Sequence, residues 1–283
     1  DRTNVVAAAG LAPNKPPNSR SLAPMHFVRE LFCLNGKNRP KANSSACKGG
    51  VPLDIFDMHP YTSGGPTHKA SGKDNIQMGN LKQLRNTLNA ADKFRHTRGM
   101  NSRTPLWVTE LAWDSKAPDP GGVPMGLLRR WTAESMFRSF QAGVRVFMWY
   151  SIRDRDPHGR PWNESDQAGL YFRGPSIDQD RAKPILQAFR FPFVAFPKGK
   201  KAIFVWGRNP QSKGGWVSIQ RFRNGKWQRL KPVRANASGL FRATIRIPNG
   251  SNRAGTVRAV FGGQTAVPFS LKHFPDRPAR PFG

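Results

Sequence analysis

Leu106–Leu111 reads LWVTEL, a strand-length run of Leu, Trp, Val and Thr with an acid, Glu110, near its end. Such a run fits a buried strand. A carboxylate inside it carries a desolvation cost that only a function or a charged partner offsets. On its N-terminal side lies a second run of the same kind, LDIFDM (Leu53–Met58), and on its C-terminal side a third, VRVFMWYS (Val144–Ser151). Earlier still, NVVAAAG (Asn4–Gly10) is short, apolar and closed by glycine, and reads as a buried strand leading into a Pro/Asn/Ser-rich loop. Helical patterns separate these runs. Pro24–Leu34 places Phe27, Leu31 and Leu34 at helical spacing, with Pro24 suited to a first turn. Gln77–Phe94 is amphipathic through Leu81, Leu84, Leu88 and Ala91. Met125–Ala142 is a third helix, and Ala182–Phe189 a short fourth.

Strands alternating strictly with helices mean a parallel sheet, and four such units are half of a closed (β/α)₈ barrel. The pattern therefore predicts an α/β domain over residues 1–196: a TIM-barrel portion, about strands five to eight, that cannot close alone. In a parallel barrel, functional residues gather where the strands end at their C-termini. Those ends carry Asp57, His59 and Tyr61, then Glu110, Trp113 and Asp114, then Trp149, Tyr150, Arg153 and Asp154. After Phe196 the pattern changes to short, often alternating runs split by turns. Asn224-Gly225 and Gly262-Gly263 are hairpin signals. Residues 197–283 are expected to form a small all-β sandwich.

Three consecutive strands carry a resemblance. TPLWVTELAWDS (Thr104–Ser115) is similar to the seventh strand of clan A (β/α)₈ glycoside hydrolases, the cellulase and xylosidase-like superfamily, whose nucleophilic glutamate stands at the strand end. DIFDMHPYT (Asp54–Thr62) resembles the sixth strand and VFMWYSIRD (Val146–Asp154) the eighth. The resemblance implies Glu110 as the catalytic nucleophile, with His59 or Tyr61 as its hydrogen-bond partner. It implies Trp149 as the floor under the sugar; Trp113 is a further candidate substrate contact, and Asp114 and Asp154 either bind sugar hydroxyls or cap the loops that follow. For His59 the alternative is a barrel-rim histidine, and for Trp149 a core position. One departure stands out. In that clan the acid/base glutamate follows an asparagine on the fourth strand, which this chain does not reach. Asn163-Glu164 copies the dipeptide, but after the eighth strand. The acid is expected outside this chain, and the missing N-terminal half of the barrel is then a partner.

Bulk properties narrow the setting. The longest apolar runs fall far short of the roughly 20 residues that span a bilayer. The chain opens at Asp1 without a signal-peptide pattern, so an upstream segment is expected to have been removed or to lie on another chain. Cys33 and Cys47 are the only cysteines. Their spacing suits a disulfide worth about 3 kcal/mol, the alternative being free thiols. A disulfide would place the protein outside the cytosol, secreted or cell-wall associated. Neither cysteine sits in a zinc pattern, no phosphate-binding loop or G-x-S-x-G elbow occurs, and no metal or cofactor is expected. The formal charge is +29, and residues 197–283 hold 18 Lys and Arg against the single acid Asp276. That field either concentrates anionic polymers near the second domain or reflects an arginine-rich proteome. Trp206, Trp216 and Trp227 are candidate stacking rings there, or sandwich core.

The leading expectation is a retaining glycoside hydrolase acting on O-glycosidic bonds of a plant or microbial polysaccharide or oligosaccharide. The alternative is a non-catalytic carbohydrate- or polyanion-binding protein.

Overall fold

The computed structural model describes residues 4–16, 18–99, 102–247, 252–274, 276, 278 and 279. They form a mixed α/β structure in two compact units, each discontinuous in sequence. The first takes the described residues of 1–113, 138–151 and 277–281, the second those of 114–137 and 152–276. No helix among the described residues is long and apolar enough to cross a membrane.

The first unit holds a four-stranded sheet of β1 (Ala7–Leu11), β2 (Ile55–Met58), β3 (Leu106–Val108) and β4 (Val144–Phe147), in that spatial order. Every neighbouring pair is parallel. Parallel neighbours need long crossovers, and helices α1 (Pro24–Leu31), α2 (Leu81–Lys93) and α3 (Met125–Gln141) lie in the three intervening stretches. All four residues of β2 are buried, because that strand has neighbours on both edges. Phe56 on β2 meets Phe32, just past α1, with ring centroids 6.2 Å apart. Leu81, Leu84, Leu88 and Ala91 of α2 are all buried, as their spacing predicts.

Three expectations need correcting. Asn4–Gly10 is not a buried strand: β1 begins at Ala7, pairs only with β2 among the described residues, and leaves Val5 and Val6 more than half exposed. An edge strand has one neighbour, and apolarity alone does not say which strand is the edge. On α1 the buried stripe is Met25 and Val28, continued by Phe32, while Phe27 and Leu31 are half-buried. Both stripes have helical spacing, and only partners distant in sequence decide between them: Met25 meets Thr87 of α2. The strands β3 and β4 also stop early, at Val108 and Phe147, so Glu110 and Trp149 lie just beyond their ends. The sheet is open, and among the described residues its strands close into no barrel. A disulfide joins Cys33 to Cys47 with the Cα atoms 6.1 Å apart, tying the loop after α1.

In the second unit α4 (Pro184–Arg190) precedes two antiparallel sheets. One is formed by β5 (Phe193–Lys198), β6 (Ala202–Arg208) and β10 (Leu240–Arg246). The other centres on β7 (Gly215–Arg223) and β11 (Thr256–Phe261). Beside β7 lie β8 (Lys226–Arg229) and β9 (Val233–Ala235); beside β11 lie β12 (Gln264–Thr265) and β13 (Phe269–Ser270). The hairpin turns at Asn224-Gly225 and Gly262-Gly263 have positive φ at both residues, the conformation that tight two-residue turns demand. β5 runs through residue 196, where the sequence pattern changes. Phe137 of α3 packs its ring against Phe196, Phe204 and Trp206 at centroid distances of 5.4–5.8 Å. Trp206 is 3% exposed, so it is core and no stacking ring for a ligand.

Candidate active site

Parallel order puts the C-terminal ends of β2 and β3 side by side on one edge of the first unit's sheet. The chain leaving β2 carries His59 and Tyr61, and the chain leaving β3 carries Thr109 and Glu110. Tyr61 donates its hydroxyl to Glu110 Oε2 at 3.0 Å. His59 Nδ1 faces the same oxygen at 3.4 Å. Among the described residues nothing else engages this carboxylate, whose side chain is 36% exposed. Both contacts fall on Oε2, one from a hydroxyl donor and one from a ring nitrogen.

Behind His59 lies a second carboxylate of opposite character. Asp57 is buried and saturated: Oδ1 accepts from the backbone N–H of Met58 at 2.8 Å and of Thr109 at 3.2 Å, and Oδ2 accepts the Thr109 hydroxyl at 2.5 Å. The Thr109 hydroxyl has one proton, and Asp57 takes it. His59 Nε2, 2.9 Å from Thr109 Oγ1, must then be the donor in that contact. Nε2 also lies 3.3 Å from Asp57 Oδ2. The ring is therefore oriented by Asp57 and Thr109 on one side, and Nδ1 attracts Glu110 only when it too carries a proton. Gly10 of β1 backs this cluster. A Cβ there would sit 3.6 Å from the His59 ring, an ordinary contact, but its φ of +58° is one that residues with a Cβ rarely adopt.

Trp113 and Trp149, both nearly fully buried, contact each other with ring centroids 6.0 Å apart. The Trp113 Nε1–H donates to the carbonyl of Gly64 at 2.9 Å, tying it to the SGGPTH loop. Trp149 is 7% exposed, so most of its ring is covered.

Asp114 and Asp154 belong to the second unit, where both are buried around Lys183. The Lys183 ammonium donates to Asp154 Oδ1 at 2.5 Å, Ser115 Oγ at 2.8 Å and the Gln167 carbonyl at 2.8 Å, using all three protons. Asp114 Oδ1 accepts from the Gln167 backbone N–H at 2.7 Å, and Asp154 Oδ1 also accepts from that of Gly169 at 2.9 Å. Burial pushes the Asp154 carboxyl up from its ordinary range, with the Lys183 charge opposing. Of the two roles open to these aspartates, loop anchoring is the one their contacts describe. Glu164 is exposed on a short turn of the second unit. No group of His, Cys, Asp and Glu among the described residues could hold a metal ion.

Thr109 and Lys183, central to these networks, are not singled out by the sequence. Thr109 carries a signal in hindsight, a hydroxyl one position before the candidate nucleophile at a strand end. Lys183 carries none, since a lysine before a helix-starting proline is ordinarily a surface residue.

No family model matches this chain, and no curated protein matches it. Several solved structures are similar to it in part. The endo-β-1,4-mannanase from Thermotoga petrophila is 13% identical over 77% of this chain and 47% of that one, with a TM-score of 0.26. SrfJ from Salmonella typhimurium is 11% identical over 70% and 41%, with a TM-score of 0.32. A modular endo-β-1,4-mannanase from Cellulomonas fimi, of glycoside hydrolase family 26, is 11% identical over 78% and 48%, with a TM-score of 0.25. The chain spans less than half the length of each.

Proposed function

We propose that this chain carries the nucleophile half of a retaining glycoside hydrolase, with Glu110 attacking the anomeric carbon of an O-linked polysaccharide or oligosaccharide. The single observation behind this reading is the one-sided hold on Glu110. Tyr61 and His59 share Oε2, and Oε1 is the oxygen left to form the glycosyl-enzyme bond. On this reading the four-stranded sheet is strands five to eight of a (β/α)₈ barrel, and residues 197–283 form an accessory β-sandwich. Trp149 is the candidate sugar-binding floor, while Trp113, with no exposed surface, is core that backs it and not a substrate contact. The disulfide is in keeping with a secreted or cell-wall setting.

Retention requires a second carboxyl group about 5 Å from the first. The other carboxylates described in the first unit are engaged elsewhere. Glu30 pairs with Lys41, Asp54 accepts from the Val6 N–H, Asp57 holds Thr109, Asp74 pairs with Arg29, and Asp92 holds Thr97 and Thr104. The proposal therefore assigns the acid/base to the barrel's complementary half. The same observation favours the alternative, a sugar-binding protein without turnover.

Activated 2-fluoro glycosides offered to the full-length natural protein, followed by peptide mass mapping, decide between the two. A covalent sugar on the peptide containing Glu110 supports the nucleophile. A protein that binds glycans yet takes no label across a broad sugar panel supports the second reading and overturns the first.

A further inference from the structure

The outer face of the six-stranded sheet has no place in the chemistry above. Along β7 the residues alternate: Val217, Ile219 and Arg221 point inward and are buried, while Trp216, Gln220 and Phe222 lie on the other face. Residues directly opposite in an antiparallel pair share a face, so the register builds rows across it. Gln220 stands between Arg229 on β8 and Arg258 on β11. Phe222 stands beside Trp227 on β8, and Trp216 beside Arg234 on β9. From Trp216 to Phe222 the face runs about 20 Å at roughly 3.3 Å per residue. Cations and rings interleave along it, and from residue 197 onward the sequence offers the one acid Asp276.

Three contacts arrange this surface. The Arg258 guanidinium lies over the Trp227 ring at 4.0 Å and donates from Nε to the Gln220 side-chain oxygen at 2.9 Å. Phe222 meets the same ring at 5.2 Å. Trp227 thus serves as a platform that fixes an arginine, whereas Trp216 is 65% exposed and open. A single strand of nucleic acid needs a succession of open ring faces on which bases stack. Here one open ring shares a face with the fixed Arg258 guanidinium and with Arg229 and Arg234, and guanidinium forks match carboxylates or sulfates bidentately.

We infer that this face docks a linear acidic polysaccharide, with Arg229, Arg258 and Arg234 on its anionic groups and Trp216 against a sugar ring. The inference stands apart from the Glu110 reading: a chain without hydrolytic activity would still bind.

The test is binding of the whole protein to polygalacturonate, followed across salt, with a neutral mannan, a thymidine 20-mer and anionic phosphatidylglycerol vesicles as comparisons. Polygalacturonate should bind tightest, and its affinity should fall at least tenfold between about 50 and 500 mM salt as counterion release weakens. Arg229→Gln with Arg258→Gln should weaken it about tenfold and flatten the salt slope. Trp216→Ala should weaken it several-fold and leave the slope unchanged. Lys201→Gln with Arg246→Gln, which removes the same charge away from this face, should change affinity less than twofold. Equal losses in the two double variants would reduce the effect to net charge and overturn the inference. So would tighter binding to the thymidine 20-mer or the vesicles, or no binding at all.

Discussion

Two carboxylates, one expected at the end of a strand and the other just past one, end up in opposite surroundings. Glu110 in the first unit is partly exposed and accepts the Tyr61 hydroxyl on the oxygen that His59 Nδ1 faces. Asp154 in the second unit is 2% exposed and locked to Lys183, Gly169 and a shared network of backbone carbonyl and hydroxyl. The first arrangement keeps an oxygen available to a substrate; the second leaves no path to one. The difference is made by partners far away in sequence, 49 positions for Tyr61 and 29 for Lys183.

Substitution should break the symmetry of the pair. Glu110→Gln is expected to lower turnover of an activated aryl glycoside by on the order of 10⁴-fold, as removal of a nucleophile does in other enzymes, with the urea midpoint unchanged. Retained turnover would transfer the chemistry elsewhere. Lys183→Met should do the reverse. It leaves Asp154 buried without its cation, at a cost of about 3–5 kcal/mol in urea unfolding, and the Lys183→Met, Asp154→Leu double variant should regain most of that. A Lys183→Met variant as stable as the parent would show that Asp154 neutralises itself at little cost.

How much of this was legible beforehand follows the same division. The alternation of strand and helix, the spatial neighbours of β3 and the turn residues of the second unit are local signals, and they read correctly. The approach of His59 and Tyr61 to Glu110 accompanies strand order, since parallel neighbours bring their C-terminal ends together. Burial does not follow from spacing. Phe27 and Met25 both lie on helical stripes of α1, and only partners distant in sequence, such as Thr87 of α2 against Met25, select one of them. Nor does a single letter announce a buried lysine. Lys183 is recruited by Ser115 and Gln167, 68 and 16 positions away, a convergence that no local pattern encodes.

A milder change sharpens the Glu110 side of the comparison. Tyr61→Phe deletes one charge-assisted hydrogen bond, worth roughly 1.5–3 kcal/mol, so kcat/KM should fall by about 10- to 100-fold. The loss should appear in kcat, and trapping on Glu110 should persist at a reduced rate. A loss confined to KM would instead make Tyr61 a sugar contact.

The smallest expected effect concerns a third carboxylate. Asp74 accepts from Arg29 at 2.7 Å, and that hydrogen bond holds its carboxyl below the ordinary range against partial burial; the charges of Arg29, Lys73 and His26 act in the same direction. In acid the unfolded chain therefore binds a proton at this position before the folded chain does. The contribution to stability is complete above the ordinary aspartate pKa and is lost as pH falls through the lowered folded value. Asp154, whose carboxyl is raised by burial, has the opposite slope: its folded form takes the proton first, so its contribution falls as pH climbs from the ordinary aspartate range toward the raised value. Asp74→Asn should therefore cost roughly 0.5–1 kcal/mol at pH 5 and nearly nothing at the acid end, measured by urea unfolding at each pH. A deficit of equal size at both ends would mean that Asp74 acts through shape and backbone contacts, and that charge distinguishes only the other two carboxylates.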